Sequence, residues 1–318
     1  MARCDLHVHS WYSGKTNHVK LLEPMDSYST PERIRRTAKA RGMDFVTLTD
    51  HNSIAGCLAY REAHPDDPDF FISEEVTVPL ETFGYTLHVG VYDMAPEDHD
   101  EIRSRRRDLD RLLGYLDDRG LFRVWNHPFY GFPRGPGAPS LLRFLLDRFP
   151  VCEGINSCLP PAVNQAFMDG VAATANGRGK PALAAGSDAH SLLRLGTTWT
   201  EAPGATPAAF LAAVRRGEGK VFGNTGRFTG VFGDAMGVYL GYMRDILVRN
   251  EVHRDWSRWK KVRNSVGWAL WLPVFTLGSF AYAVVQYRLF KHRLGEYRRV
   301  WSDLASKESD NEGRHRPV

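Results

Sequence analysis

An α/β fold that gathers its functional groups at one rim is predicted by three features of the chain. From residue 1 to about 225, short apolar runs alternate with amphipathic helical segments, which argues for a parallel sheet with its faces covered. Six short motifs rich in His, Asp and Glu follow, nearly every time, a β-like apolar run. In a β/α barrel the catalytic groups occupy the loops after the strands' C-terminal ends, so separate segments meet at one face. Beyond residue 228 the pattern changes to a helical, apolar and basic region, which divides the chain into 1–228 and 229–318.

The elements follow in order. Ser29-Thr30-Pro31-Glu32 reads as a helix start with Pro in the first turn, and Gly42 as its stop. Asp44 to Thr49 reads as a strand. Pro96 to Gly120 reads as one long polar helix, because Ile102, Leu109, Leu112, Leu113 and Leu116 recur near helical spacing. Pro161 to Gly177 and Pro207 to Gly217 are further helices. The Gly/Pro loop 131–139 follows the His127 motif, and a long irregular loop in a compact domain usually borders a site.

The C-terminal region carries a different signal. Val266 to Tyr287 is 22 residues without a charge. As a helix it would rise about 1.5 Å per residue and reach roughly the ~30 Å of a bilayer core. Trp268 and Trp271 lie near one end, Tyr282 and Tyr287 at the other, with Lys260, Lys261, Arg263, Arg288, Lys291 and Arg293 outside. Aromatic belts and basic flanks of this kind mark a single membrane span. The alternative is a buried hairpin or an interface helix, with which Pro273 and Gly278 are also compatible. Basic residues are balanced on the two flanks, so they set no orientation. No secretory signal is read before the first motif, so the first domain is expected to lie in the cytoplasm. Ser306 to Val318 is polar and is expected to be disordered.

Composition narrows the classes. At 318 residues, 43% hydrophobic and 25% charged, the chain can bury a full core. The net charge of +4 lies mostly near the C-terminus and says little about the partner of the first domain. Arg103 to Arg107 is interleaved with acids, so a solvated helix face explains it better than nucleic-acid binding. Cys4, Cys57, Cys152 and Cys158 form no CxxC pair and read as free thiols in a reducing compartment.

The chemistry lies in the motifs: Asp5-Leu6-His7-Val8-His9-Ser10, Leu48-Thr49-Asp50-His51, Glu74-Glu75, Leu87-His88-Val89-Gly90, Asn126-His127-Pro128 and Ser187-Asp188-Ala189-His190. Imidazole and carboxylate are ligands for zinc, manganese or iron. The cluster is too large for one tetrahedral ion. On a strand His7 and His9 point to the same side and can chelate one ion, as can Asp188 and His190. A carboxylate has two oxygens, so Glu75 could bridge two ions. His88 and His127 would complete the second shell, with His51 and His190 left for a third ion. Glu74 competes with Glu75 on composition alone.

With its motifs in this order, the chain resembles the PHP family, named for polymerase and histidinol phosphatase, over about residues 3–225. His-x-His, Thr-Asp-His, Asn-His-Pro and Ser-Asp-x-His carry the resemblance, with a later Gly-Lys-Val-Phe-Gly-Asn-Thr-Gly stretch. The resemblance implies a distorted (β/α)7 TIM-like barrel with two or three divalent ions, used mostly to hydrolyse phosphoesters. Carried over by position, its ligands are His7, His9, His51, Glu75, His88, His127, Asp188 and His190, and the family's Glu before an aliphatic residue selects Glu75. One departure stands out. The family usually places an Asp or His a few residues after the first motif, where this chain has Gly14 and Lys15. The third site is then weak or empty, unless His18 or Asp26 substitutes.

The resemblance thus points to a metal-dependent phosphoesterase. A water shared by the ions would attack a small phosphomonoester, a nucleotide bisphosphate or a short oligonucleotide end. Asp50 is placed to orient an imidazole, Lys15 to lie near a substrate phosphate, and Arg134 and Arg194 to grip it. An amidohydrolase-like C–N or C–O hydrolase could use the same centre. A non-catalytic, membrane-tethered metal-binding module is the third reading, and decay of the ligand set would be its sign.

Overall fold

Strands and helices alternate in a mixed α/β arrangement in the computed structural model, which describes residues 1–14, 25–173, 180–223 and 228–314. The described strands are β1 (Ala2–Cys4), β2 (Ser73–Leu80), β3 (Tyr85–Tyr92), β4 (Phe122–Trp125), β5 (Val151–Asn156), β6 (Ala182–Gly186), β7 (Thr198–Ala202) and β8 (Lys220–Gly223). They form one sheet in the order β1-β7-β8 and another in the order β2-β3-β4-β5-β6.

The pairing departs from the parallel sheet expected. Only β4-β5-β6 are parallel, while β2-β3-β4 and β1-β7-β8 are antiparallel. β2 and β3 are joined by the short turn at 81–84, and so close a connection permits only antiparallel pairing. The expected strand at 44–49 supplies single parallel bridges instead of a ladder: Cys4 to Phe45 and Val46 to Phe70. Further bridges join Val8 to Ala189 and His51 to Glu75. With Thr49 N–H donating to Val8 O at 2.8 Å and His9 N–H to Ala189 O at 3.0 Å, they fix the first motif between the second and the last.

The helices begin where capping chemistry directs. α1 (Pro31–Ala40) starts at the expected Pro, and Gly42, at φ +81°, ends it. α2 (Ala55–Ala63) follows. The single helix expected over 96–120 is two, α3 (Pro96–Arg105) and α4 (Leu109–Asp118). Asp108 leaves helical geometry and its side chain accepts from Arg111 N, which starts a new helix at the cost of the old one. α5 (Ala138–Leu146), α6 (Pro161–Ala173) and α7 (Pro207–Arg215) complete the first region. α8 (Phe228–Arg244), a π-helical turn (Asp245–Arg249) and α9 (Arg258–Arg314) form the C-terminal region.

α9 does not bear out the expected span at 266–287 as one straight helix. It bends by 51° between Arg258–Leu270 and Leu272–Ser306, and no single described helix is long and apolar enough to cross a membrane. The halves pass that test of length and composition only as a pair. Pro273 lies inside the helix, where its ring displaces a carbonyl one turn back and removes a hydrogen bond. Both ends are packed. Trp268 is buried with Tyr239 and Tyr242, and Phe290, Tyr297, Trp301 and Leu304 enter the core formed by β2–β5 and α4–α6. Tyr297 donates its hydroxyl to Phe129 O at 2.8 Å. Between these anchors Leu270, Val274 and Leu277 stay exposed. The helix also continues past Ser306 to Arg314, where a disordered tail was expected. Extending a nucleated helix adds one bond per residue ordered, which a docked preceding turn makes favourable. The four cysteines are free, as expected.

Candidate metal centre

Glu75, fully buried on β2, is the hub. Its carboxylate lies 2.8 Å from His51 Nδ1, 3.2 Å from His7 Nε2, His88 Nδ1 and His127 Nε2, and 3.7 Å from His9 Nε2. The β2–β3 register explains part of this. Glu75 faces Gly90 and Thr77 faces His88, so Glu75 and His88 are diagonal neighbours on one face. Both lie inside strands instead of after them. His127 follows β4, and Asp188 and His190 follow β6, as the sequence predicts. All eight expected ligands converge.

They form four overlapping groups whose donor atoms lie within 4.8 Å of one another: His7-His9-Asp188, His7-Glu75-His127, His51-Glu75-His88 and His9-Asp26-His51-His190. The last group resolves the departure noted in the sequence. Asp26 approaches His190 Nε2 at 3.0 Å and His51 Nε2 at 3.8 Å, and takes the place that Gly14 leaves without a donor. Lys15 and His18 lie outside the described residues. Asp188 and His190 fall in different groups instead of chelating together, because Asp188 has φ +51° and the strand-like alternation ends there.

The donor set fits divalent cations. His7 Nε2, His9 Nε2, His88 Nδ1, Glu75 Oε2 and Asp26 Oδ2 are buried and make no hydrogen bond among the described residues. Leaving such atoms unsatisfied is costly, and lone pairs aimed at one another share no proton between them. Divalent cations held by these groups would satisfy them.

Neighbouring residues set which nitrogen is free. Ser13 has one hydroxyl proton and donates it to Asp50 at 2.9 Å, so at 3.0 Å it accepts from His9 Nδ1. The lone pair of His9 is thereby left on Nε2, toward Glu75 and Asp188. Burial, followed by the charges of His190 and His51, lowers the His9 pKa to about 3 and keeps the ring neutral. His7 Nδ1 meets Glu153 Oε1 at 3.1 Å, which fixes that ring in the same way. Burial disfavours charge on His190, yet Asp26 and Asp188 raise its pKa to about 10. Burial likewise opposes ionisation of Glu75, but His88, His7 and His51 hold it well below the usual carboxylate range.

Several supporting residues escaped the sequence reading. Glu153 on β5 also accepts from His127 N at 2.6 Å and Asn156 Nδ2 at 3.0 Å. Asp5 accepts from Ser187 N at 2.8 Å and Gly196 N at 2.7 Å, tying the first motif to the last. Asn126 donates to Glu75 Oε1 at 2.9 Å. A side chain at Gly186 would put its Cβ 2.2 Å from that of His7, so only glycine admits the ring. A polar residue near the end of an apolar run was the available signal for Glu153 and Asn156.

The other expected residues fare differently. Asp50 accepts from Ser10 N at 2.6 Å and Ser10 Oγ at 2.7 Å, and reaches His9 through Ser13. Arg194 is buried and donates to Ser157 Oγ at 2.6 Å, which supports the Asp188 loop instead of leaving a free phosphate grip. Arg134 pairs with Glu296 of α9 at 3.3 Å. Glu74 turns away to His99 Nδ1 at 2.9 Å, which separates it from Glu75. Tyr130, just before the 131–139 loop, has its ring 5.4 Å from that of His127.

The PHP-associated family model matches residues 171–218, which contain β6, the Asp188 and His190 loop, β7 and α7. That stretch of the chain is similar to the PHP-associated family. The chain is also similar to the uncharacterized protein MJ1587 of Methanocaldococcus jannaschii, at 44% identity over 54 residues. That match covers 17% of this chain and spans 31% of the relative's length. Among solved structures, PsfC from Pseudomonas syringae PB-5123 has a similar fold, with a TM-score of 0.50 at 19% identity, over 70% of this chain and 93% of that one. A two-domain protein from Bacteroides vulgatus ATCC 8482, described as containing a PHP-like metal-dependent phosphoesterase, has a TM-score of 0.45 at 15% identity, over 70% and 65% of the two chains.

Proposed function

We propose that the chain is a metal-dependent hydrolase acting on phosphoesters, a phosphomonoester or a nucleotide phosphoester. The observation that carries the reading is Glu75, buried and approached by five imidazoles, beside donor atoms without a hydrogen bond among the described residues. Two or three divalent ions, zinc, manganese or iron, would supply Lewis-acid activation of water and stabilise charge on the phosphoryl oxygens. The chain's own residues prepare that centre. Ser13 with Asp50, and Glu153, hold His9 and His7 with Nε2 presented inward. Asp26 and His190 extend the donor set beyond a two-ion arrangement.

The test compares hydrolysis of p-nitrophenyl phosphate with amide and lactone panels, using protein loaded with Mn or Zn. Phosphatase activity is expected to fall at least about a hundredfold in His9→Ala and Asp188→Ala, with unchanged circular dichroism. Full activity in both variants, or turnover of amides alone, overturns the reading.

The exposed Leu270, Val274 and Leu277 of α9, flanked by Lys260, Lys261, Arg288 and Lys291, support contact between this region and a membrane. Full-length protein is expected to float with anionic vesicles, and Leu270→Asn with Leu277→Asn to lower the floated fraction. Recovery of all wild-type protein in the soluble layer, without detergent, overturns this attachment.

A further inference from the structure

Beside the centre lies a cavity of about 280 Å³, between the 190–193 loop, the start of α1, and the end of α8 with its π-helical turn. His190, which approaches Asp26 in the four-residue donor group, forms part of its wall. The cavity therefore adjoins the metal centre. α8 can press close here because a Cβ at Gly237 would lie 2.6 Å from Ser191 Oγ. Leu192, Leu193 and Leu240 give the cavity apolar surface.

Three guanidinium groups, Arg33, Arg244 and Arg249, also line it. None of the three forms an ion pair with a carboxylate among the described residues. Burial, then the positive charges of Arg249, Arg36 and Arg244, lowers the Arg33 pKa, with Glu251 opposing only in part. Like charges gathered around a concave surface repel one another until an anion joins them, and the guanidinium fork matches phosphate oxygens.

We propose that this cavity binds a second phosphate group of the substrate, joined by a carbon-rich spacer to the phosphoester held at the metal centre. The assignment rests on the phosphoesterase reading for its direction, but its binding chemistry can be measured separately. Arg134 and Arg194 each have another partner, whereas Arg33, Arg244 and Arg249 line the cavity together.

Non-hydrolysable probes test it. Calorimetry on Mn-loaded full-length protein compares butyl-, hexyl- and octylphosphonate with the α,ω-bisphosphonates of the same chain lengths. At one length or more, the bisphosphonate is expected to bind about tenfold tighter, beyond the twofold statistical gain of two equivalent ends. The Arg33→Gln/Arg249→Gln double variant should bring that ratio near the statistical value, whereas Arg36→Gln, outside the cavity, leaves it unchanged. Should the double variant fail to fold, the exposed Arg244→Gln carries the test with an expected several-fold loss of preference. A near-statistical ratio at every length in the wild type, or an undiminished one in the variants, overturns the proposal. Retained bisphosphonate preference without any phosphoester hydrolysis sinks the phosphoesterase reading and leaves the cavity assignment standing.

Discussion

At the scale of single residues, the centre depends on matching protons to lone pairs. His9 is held neutral by burial and by two neighbouring imidazoles, and the Asp50–Ser13 relay points its Nε2 inward. His7 obtains the same orientation from Glu153. Asp26 is the residue on which the third group depends, since it provides the carboxylate among three imidazoles. Asp26→Asn is expected to lower bound metal by about one ion per chain while the groups built on Glu75 keep theirs. Elemental analysis of the purified variant checks this, and unchanged metal content would remove Asp26 from the shell. The eight motif ligands were legible because His and Asp recur at short spacing beside apolar runs. Glu153 was not, because it lies in a run that reads as strand, and Asp5 stood in the first motif without a role of its own.

At the scale of elements, the hairpin and the C-terminal helix show how connection and packing override periodicity. The short turn between β2 and β3 forces antiparallel pairing and brings Glu75 and His88 onto one face. Asp108 divides a continuous apolar repeat into α3 and α4 by capping. In α9 the same apolar residues that suggest a span partly serve as anchors, with Trp268 at one end and Trp301 at the other. Trp301 rests against Gly170 of α6, where a Cβ would lie 2.0 Å from the indole. Gly170→Val is therefore expected to cost about 2–3 kcal/mol through overpacking. A melting temperature lower by several degrees, with faster proteolysis of α9, checks it. An unchanged Tm would mean that the helix does not dock there.

At the scale of the whole molecule, the donor groups draw together the segment after β1, the segment of Asp26, the 49–51 loop, β2, β3, and the loops after β4 and β6. Cations that bind the folded arrangement and not the unfolded chain stabilise the former by mass action. Metal at about a hundred times its Kd is expected to add roughly 2.7 kcal/mol per site, seen as a Tm that rises with metal concentration and falls on chelation. A Tm indifferent to both would show that the donors are satisfied without cations.

The sequence by itself determined the chemical character of the centre and the α/β class, because ligand types, their short spacings and apolar periodicity are local properties. Helix starts such as Pro31 and Pro207, and the stop at Gly42, were local in the same sense. Only the tertiary structure decided the strand directions, the partners of Arg134 and Arg194, the role of Asp26 and the course of α9. Each of those depends on which distant group arrives opposite, and contacts across long sequence separations leave no periodic trace in the chain.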